Sequence, residues 1–154
     1  MDYIQLAVEK TKEGIDQNIG GPFGATIVRG DEIIAVVGNT MNRDTDLSAH
    51  AEIVAIREAS KKLGTMDLSD CVIYATCEPC PMCVSAIIWA GIKEVHYCNT
   101  AEDAHKNGFS DMHIRDYFSG KDTSVLNMHK IDTREDCDNL FVHFNKKMEE
   151  EVKE

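Results

Sequence analysis

The residues best suited to chemistry lie in two short motifs. The first is His50-Ala51-Glu52, and the second contains Cys80 and Cys83 in a C-x-x-C spacing. Imidazole and thiol groups are zinc ligands. A structural zinc normally has four protein ligands, whereas three leave a fourth position for water. The two motifs therefore predict a hydrolytic metal site with His50, Cys80 and Cys83 as its ligands.

Helix geometry separates these ligands from the remaining carboxylate. Residues three positions apart lie within about 60° of one another on a helix, so Cys80 and Cys83 can reach one metal. Pro81 suits the first turn of that helix, and a helix N-terminus favours thiolates. His50 and Glu52 would be about 200° apart on a regular helix and cannot both be ligands from its middle. We expect His50 at the helix entrance and Glu52 beside the open position, where it transfers protons.

Each motif alone has other interpretations. A lone C-x-x-C is often a redox pair, the same thiols can hold a structural zinc, and a lone H-x-E is commonplace. The combination of H-x-E with a later P-C-x-x-C is the signature of zinc-dependent nucleobase deaminases. We therefore favour a hydrolytic zinc over a structural zinc or a redox pair, with Glu52 as the catalytic residue.

Hydrophobic periodicity and turn residues predict the elements that position these motifs. Four helices are predicted. The first covers residues 2–18, the second has its N-cap at Ser48 and ends at Gly64, the third covers 80–90, and the last begins at about residue 134. Strands are predicted over residues 24–29, 32–37, 71–76, 95–98 and 127–131. The first two strands form a hairpin, while the later strand-helix-strand crossover suggests a parallel pair. The pattern predicts an α/β fold with a mixed sheet.

Apolar patterns also predict which side chains are buried. The helix over 80–90 is almost entirely apolar, so we expect burial on most of its sides, with Trp89 in the core. The last helix carries a predicted core stripe, namely Cys137, Leu140, Phe141, Phe144 and Met148. Cys71, Cys98 and Cys137 are expected to be small buried hydrophobes. The long polar segment from 100 to 123 suggests a substrate lid or a partner-facing segment.

Length and charge limit the function classes. The chain has 154 residues and a mass of 17.2 kDa, which suits one domain. Its net charge of −11 disfavours nucleic acid, because affinity for phosphates rests on Lys and Arg, so we expect a small neutral substrate.

We recognise no secretory signal and no apolar run of about 20 residues that would span a membrane. The cysteines fit reduced thiols and a metal better than a disulfide framework, and a soluble, cytoplasmic protein is expected.

The chain resembles the cytidine-deaminase-like superfamily of zinc hydrolases. Residues 49–57 and 77–83 are similar to the branch that holds bacterial guanine deaminases and tRNA adenosine deaminases. Phe23 stands where tRNA deaminases generally have an aliphatic residue. Similarity to guanine deaminases in particular is found in segments 20–25, 86–90 and 107–111.

The resemblance implies a fold, an activity and residue roles. The expected fold is a three-layer α/β/α arrangement with a mixed five-stranded sheet, in a single domain over residues 1–154. The expected activity is the Zn2+-dependent hydrolytic deamination of guanine to xanthine and ammonia, a step of purine catabolism. Substrate-binding residues are expected to be Phe23, Asn39, Ala51 and Asp111. Among them, Phe23 packs on the base, Asn39 hydrogen-bonds it, and Asp111 contacts its amino-bearing end.

The resemblance also implies an assembly. Related guanine deaminases form homodimers by exchanging a C-terminal segment, which here would begin near residue 100. Relatives can close the site with an aromatic C-terminus, whereas residues 148–154 of this chain contain no aromatic side chain. A lid formed by the tail is therefore not expected.

The motifs do not choose the base. A tRNA adenosine deaminase is the runner-up, and guanosine, cytosine or another amino-heterocycle are further candidates. A catalytically silent zinc domain that acts as a binding partner is an alternative of another class, although the presence of Glu52 argues against it. The substrate contacts have structural alternatives as well: Asn39 could end a strand, Phe23 could be core, and Asp111 could cap a helix.

Overall fold

The computed structural model describes residues 1–153. In chain order its elements are α1 (Tyr3–Asp16), β1 (Gly24–Arg29), β2 (Glu32–Gly38), α2 (Met41–Asp44), α3 (Ala51–Leu63), β3 (Val72–Cys77), α4 (Pro81–Trp89), β4 (Glu94–Asn99), α5 (Ala101–Lys106), α6 (Met112–Ser119) and α7 (Glu135–Lys153). The predicted helices and the hairpin are confirmed, with bounds that differ by a few residues. Two short helices, α5 and α6, lie in the long polar segment from 100 to 123.

The described strands form one mixed sheet in the order β2-β1-β3-β4. β1 is antiparallel to β2 and to β3, while β3 and β4 run parallel, as the crossover predicts. The expected fifth strand, at residues 127–131, is wrong because that segment adopts no strand, and the sheet has four strands. A strand requires a neighbour that satisfies its backbone groups, which a local sequence pattern cannot supply.

Helices cover both faces of this sheet. On one face, the hydroxyl of Thr26 donates to the carbonyl of Tyr3 in α1 at 2.9 Å. Successive side chains of a strand point to opposite faces, so Ala25 and Ile27 point away from α1. There they join a buried cluster with residues of α3 and α4, among them Ile87. The predicted three-layer α/β/α arrangement is confirmed, and each fully buried Ile stabilises it by about 1.5–3 kcal/mol.

The chain divides into two compact units, the first Met1–Asp122 and the second beginning at Thr123. The first contains the sheet and α1 to α6, and the second contains α7. Along α7, Leu140, Phe141 and Phe144 are all exposed. The predicted core stripe of this helix is therefore wrong for a single chain, since of its five members only Met148 is half-buried.

The outer side of α4 is also uncovered. Trp89 is 90% exposed and Ile88 is 69% exposed, whereas Ile87 is buried. We expected this helix to be buried on most sides, with Trp89 in the core, and this prediction is wrong. An apolar pattern identifies apolar faces but not which surface covers them. Cys71 is buried as predicted, while Cys98 and Cys137 are exposed. Within residues 1–153, no helix combines the length and apolar character needed to cross a bilayer.

Candidate metal centre and substrate cavity

His50 is held by the start of α3. It is the N-cap residue, its backbone is extended (φ −63°, ψ 157°), and its side chain makes no capping hydrogen bond. The imidazole can therefore turn towards other partners. Its position at the helix entrance agrees with the sequence expectation, but the prediction of Ser48 as N-cap is wrong. The hydroxyl of Ser48 instead donates to the carboxylate of Asp46 at 2.7 Å.

Cys80 and Cys83 are held by the start of α4. Cys80 is the N-cap residue, and Pro81 follows in the first turn, where its missing N–H would have had no partner. Cys83 lies in the same turn and is fully buried. The parallel crossover from β3 through α4 to β4 brings this turn to His50.

The three donor atoms have the spacing of a zinc site. Nδ1 of His50 lies 3.6 Å from Sγ of Cys80 and 3.5 Å from Sγ of Cys83, and all three donors lie within 4.8 Å of one another. With Zn–S of about 2.3 Å and Zn–N of about 2.0 Å, tetrahedral angles place nitrogen and sulfur about 3.5 Å apart. The triad His50, Cys80 and Cys83 therefore fits Zn2+ in both donor type and spacing.

Hydrogen bonding within the triad favours negative charge on sulfur. Donation from Cys83, reinforced by His50, lowers the pKa of Cys80 to about 4. The same bond raises the pKa of Cys83, because Cys83 is the proton donor. The neighbouring Cys80 sulfur raises the pKa of His50. A thiolate stabilised in this way is the form that binds a metal cation.

Glu52 is the buried carboxyl beside the triad. It lies in the first turn of α3 and is 7% exposed. Burial raises the pKa of its carboxyl, and a hydrogen bond with Cys83 partly opposes this effect. Glu52 is not one of the three clustered donors. A carboxyl with a raised pKa is suited to accept a proton and to return it near neutral pH.

The triad borders a cavity of about 600 Å³ in the first unit. Six residues singled out by the sequence line it: Phe23, Asn39, His50, Glu52, Cys80 and Asp111. Cys83 and Ala51 are fully buried and do not line it. Among residues 1–153, no lysine or arginine lines the cavity. An apolar cavity of this size with a few polar groups is typical of a small-molecule site.

Asn39 is fixed by the loop before β1. Its Nδ2 donates to the carbonyl of Gly21 at 2.9 Å, and its Oδ1 accepts from the N–H of Gly21 at 3.0 Å. A side chain at Gly20 would collide with the Asn39 backbone, so the loop requires glycine there. The amide keeps one N–H and part of its acceptor capacity for another partner. Across the cavity wall, Phe23 packs edge-on against Phe109 with centroids 5.3 Å apart.

Asp111 occupies the N-cap position of α6, but its side chain makes no capping bond. Both carboxylate oxygens instead accept from Nε of Arg115, each at 3.0 Å. The bonded Asp111 carboxylate raises the pKa of Arg115.

Sequence reasoning assigned no site role to Arg115, Glu78, Phe109 or His113. The i to i+4 spacing from Asp111 could have pointed to Arg115, and Glu78 lies inside the second metal-binding motif. His113 also lines the cavity, and its side chain is exposed. His113 lies outside both of the short motifs that contain the metal ligands.

Comparisons with known proteins agree with this site. A family model for the cytidine and deoxycytidylate deaminase zinc-binding region matches residues 1–99, which include the triad and Glu52. The guanine deaminase of Bacillus subtilis is 47% identical over 112 residues, which cover 73% of this chain and 72% of that protein. A tRNA-specific adenosine deaminase of Buchnera aphidicola is 31% identical over 131 residues, 85% of this chain and 84% of the relative.

Structural similarity points in the same direction. The X-ray structure of guanine deaminase from Bacillus subtilis superposes with a TM-score of 0.82 at 38% identity, covering 93% of this chain and 92% of that one. The α/β fold class and the resemblance drawn from the motifs are therefore confirmed.

Proposed function

The chain belongs to the zinc-binding cytidine and deoxycytidylate deaminase family, and we propose that it hydrolyses guanine to xanthine and ammonia. The observation that carries this proposal is the buried Glu52 beside the metal-binding triad, in a cavity whose wall also presents Asp111. The 47% identity to a guanine deaminase supports the choice of base. The protein is accordingly a Zn2+-dependent hydrolase of the C–N bond of a cyclic amidine, with a place in purine catabolism.

The chemistry follows from the residues around the cavity. His50, Cys80 and Cys83 would hold zinc, which when bound would lower the pKa of water and so supply a nucleophile at neutral pH. Glu52 accepts a proton from that water as oxygen adds to C2 of guanine, and delivers it to a ring nitrogen. Glu52 then takes the proton of the hydroxyl group now on C2 and delivers it to the amine. The C2–N bond breaks as the C2–O bond becomes a carbonyl, and ammonia leaves.

Base recognition is proposed for four residues. The Asp111 carboxylate is an acceptor, and the 2-amino group and N1–H of guanine are adjacent donors. Phe23 packs on the purine face, and the remaining amide N–H of Asn39 donates to the base. At Ala51 the backbone is the available group, because its side chain is fully buried and N–H groups at a helix start lack intrahelical partners.

Other substrates are less well supported. An RNA substrate requires cationic side chains for its phosphates, but no lysine or arginine within the described chain lines the cavity. The tRNA-specific relative is also less similar, at 31% identity. Guanosine is the second candidate, because a cavity of about 600 Å³ leaves room for a ribose beside the base.

A homodimer that exchanges the segment from about residue 100 is part of the proposal. It is supported by the exposed apolar side chains of both units, including Trp89 on α4 and Phe141 on α7. Light scattering should then give twice the mass of one 17.2 kDa chain, and Trp89→Lys should shift the population towards the monomer. A cytoplasmic location is proposed because six free cysteines suit a reducing compartment.

The test of activity is ammonia release by the zinc-loaded protein. Guanine, guanosine, adenine, cytosine and a tRNA anticodon stem-loop are assayed in parallel at matched concentrations. The proposal expects the highest kcat/KM with guanine. Activity confined to the RNA, or ammonia release from none of the five, would refute it.

A further inference from the structure

The guanidinium of Arg115 joins the cavity wall to the metal-binding loop. On one side, its Nε donates to both carboxylate oxygens of Asp111 at 3.0 Å, and its Nη2 forms an ion pair with Oδ2 at 3.0 Å. On the other side, Nη2 donates to the carbonyl of Pro79 at 3.1 Å and lies 3.6 Å from Oε2 of Glu78. One planar group therefore contacts two parts of the site that are distant in sequence.

The contact with Pro79 reaches the metal centre. The Pro79 carbonyl belongs to the peptide bond that leads into Cys80, a member of the triad. Next to it, Glu78 accepts a hydrogen bond from the N–H of Ala101 at 3.1 Å, at the start of α5. The loop that carries Cys80 is thus tied to α6 through Arg115 and to α5 through Glu78.

The contact with Asp111 replaces the bond that its position in the helix would favour. Asp at an N-cap normally accepts from an N–H of its own helix, and here that bond is absent. The carboxylate is 16% exposed, and Arg115 fixes its orientation by a charge-assisted, forked contact. An oxygen held in this way can still accept from a ligand, because each carboxylate oxygen has more than one acceptor direction.

We propose that Arg115 is a positioning residue that sets the distance between the base-binding carboxylate of Asp111 and the metal-binding loop. The inference rests on the proposed deamination of guanine. Reaction requires C2 of the base to lie at a fixed place relative to the metal centre, and a shift of about 1 Å can reduce turnover about 100-fold. Arg115 bonds both to the Asp111 carboxylate and to the Pro79 carbonyl of the metal-binding loop. Without it, the carboxylate can move relative to that loop.

Arginine is required for this role because the two acceptors lie in different directions. A guanidinium presents a rigid set of five N–H donors, whereas an ammonium is a compact point charge on a flexible stem. Lysine can restore the ion pair with Asp111, but it does not reproduce the fork that also includes the Pro79 carbonyl.

The experiment compares Arg115→Ala, Arg115→Lys, Asp111→Asn and the double variant Asp111→Asn/Arg115→Ala in the zinc-loaded full chain. Arg29→Ala is the matched control, because Arg29 also pairs with a carboxylate, that of Glu32 at 3.4 Å, away from the cavity. Guanine kinetics, zinc per chain and Tm are measured for each protein.

Arg115→Ala should lower kcat/KM about 100-fold and raise KM about tenfold, with zinc content retained. Arg115→Lys should recover only in part, with kcat/KM about tenfold below that of the wild type, and Arg29→Ala should match the wild type. Because Arg115 acts through Asp111, the double variant should be no more than about threefold worse than Asp111→Asn alone.

Three results would overturn the inference: an unchanged KM in Arg115→Ala, multiplicative losses in the double variant, or full recovery with lysine. A purely structural role lowers apparent kcat through loss of folded enzyme and leaves KM unchanged. Should Arg115→Ala fail to fold, Arg115→Gln gives the same decision, since its amide can reach an acceptor but carries no charge for Asp111. An inactive wild type would instead refute the proposed function, so the two failures are distinguishable.

Discussion

Replacing Glu52 by glutamine is the most direct test of the proposed chemistry. The amide has the shape of the carboxyl and fits the same site, which is 7% exposed, but it cannot accept and return a proton. The residue is not a member of the ligand triad, so zinc content should stay at the wild-type value. The substitution therefore separates proton transfer from metal binding.

The size of the effect follows from the role. Positioned proton transfer contributes about 10²- to 10⁴-fold to rates, which corresponds to about 3–5 kcal/mol of barrier at about 1.36 kcal/mol per tenfold. Glu52 is proposed to act in more than one transfer, so a loss of at least about 10³-fold in kcat is expected. KM should change little, because the contacts assigned to the base lie on Phe23, Asn39 and Asp111.

Glu52→Gln should lower activity without lowering the free energy of unfolding. Burial raises the pKa of Glu52, so the folded protein holds this proton more tightly than the unfolded chain. A group of this kind opposes folding increasingly as pH rises from its unfolded pKa towards its folded pKa. The amide does not titrate, so it removes this pH-dependent destabilisation. Without added zinc at pH 7, Glu52→Gln should therefore unfold at the same denaturant concentration as the wild type, or at a higher one.

The assay is ammonia release from guanine, with metal analysis and chemical unfolding of the same preparations. Glu58→Gln is the matched control, because it makes the same chemical change at an exposed position of α3. It should leave kcat within about twofold of the wild type, as expected for a surface substitution. If Glu52→Gln retains zinc and more than a tenth of wild-type kcat, the assignment of Glu52 is refuted.

Three further predictions test the metal and the loop that holds Asn39. Cys83→Ala should lose most of its zinc in metal analysis, because the two remaining ligands bind the ion poorly. Cys98 is exposed and is not a ligand, so Cys98→Ala should retain zinc. Removal of zinc from the wild type by a chelator should lower Tm, because the ion binds the folded triad only, and readdition should restore it; an unchanged Tm would contradict the zinc assignment. Gly20→Ala should reduce the free energy of unfolding by about 1–3 kcal/mol, because its methyl group meets the Asn39 backbone. Its control Gly14→Ala, which meets only an ordinary contact with Ile19, should be neutral or stabilising by up to about 1 kcal/mol in the same denaturant titration.

The metal centre was predictable because its geometry is local. Both motifs lie at the start of a helix, where a spacing of two or three residues determines which side chains share a face. The structure confirms these helix starts, with His50 before α3 and Cys80 before α4. The sheet was predictable to the extent that its strands are joined by a hairpin or by one crossover. Contacts such as that of Arg115 with Pro79 could not be predicted, since they depend on where a distant helix lies.

The errors in burial have one physical cause. The apolar residues of α4 and α7 were identified correctly, but a periodic pattern states only that a face is apolar and not which surface covers it. Ile88 and Trp89 on α4, and Leu140, Phe141 and Phe144 on α7, are exposed in the single chain. Burial of side chains of this size contributes about 1.5–3 kcal/mol each, so five together reach on the order of 10 kcal/mol. That sum is comparable with the cost of association, about 4–15 kcal/mol. The proposed homodimer would cover these apolar faces with a second copy of the chain, and the apolar patterns of α4 and α7 would then mark intersubunit surfaces.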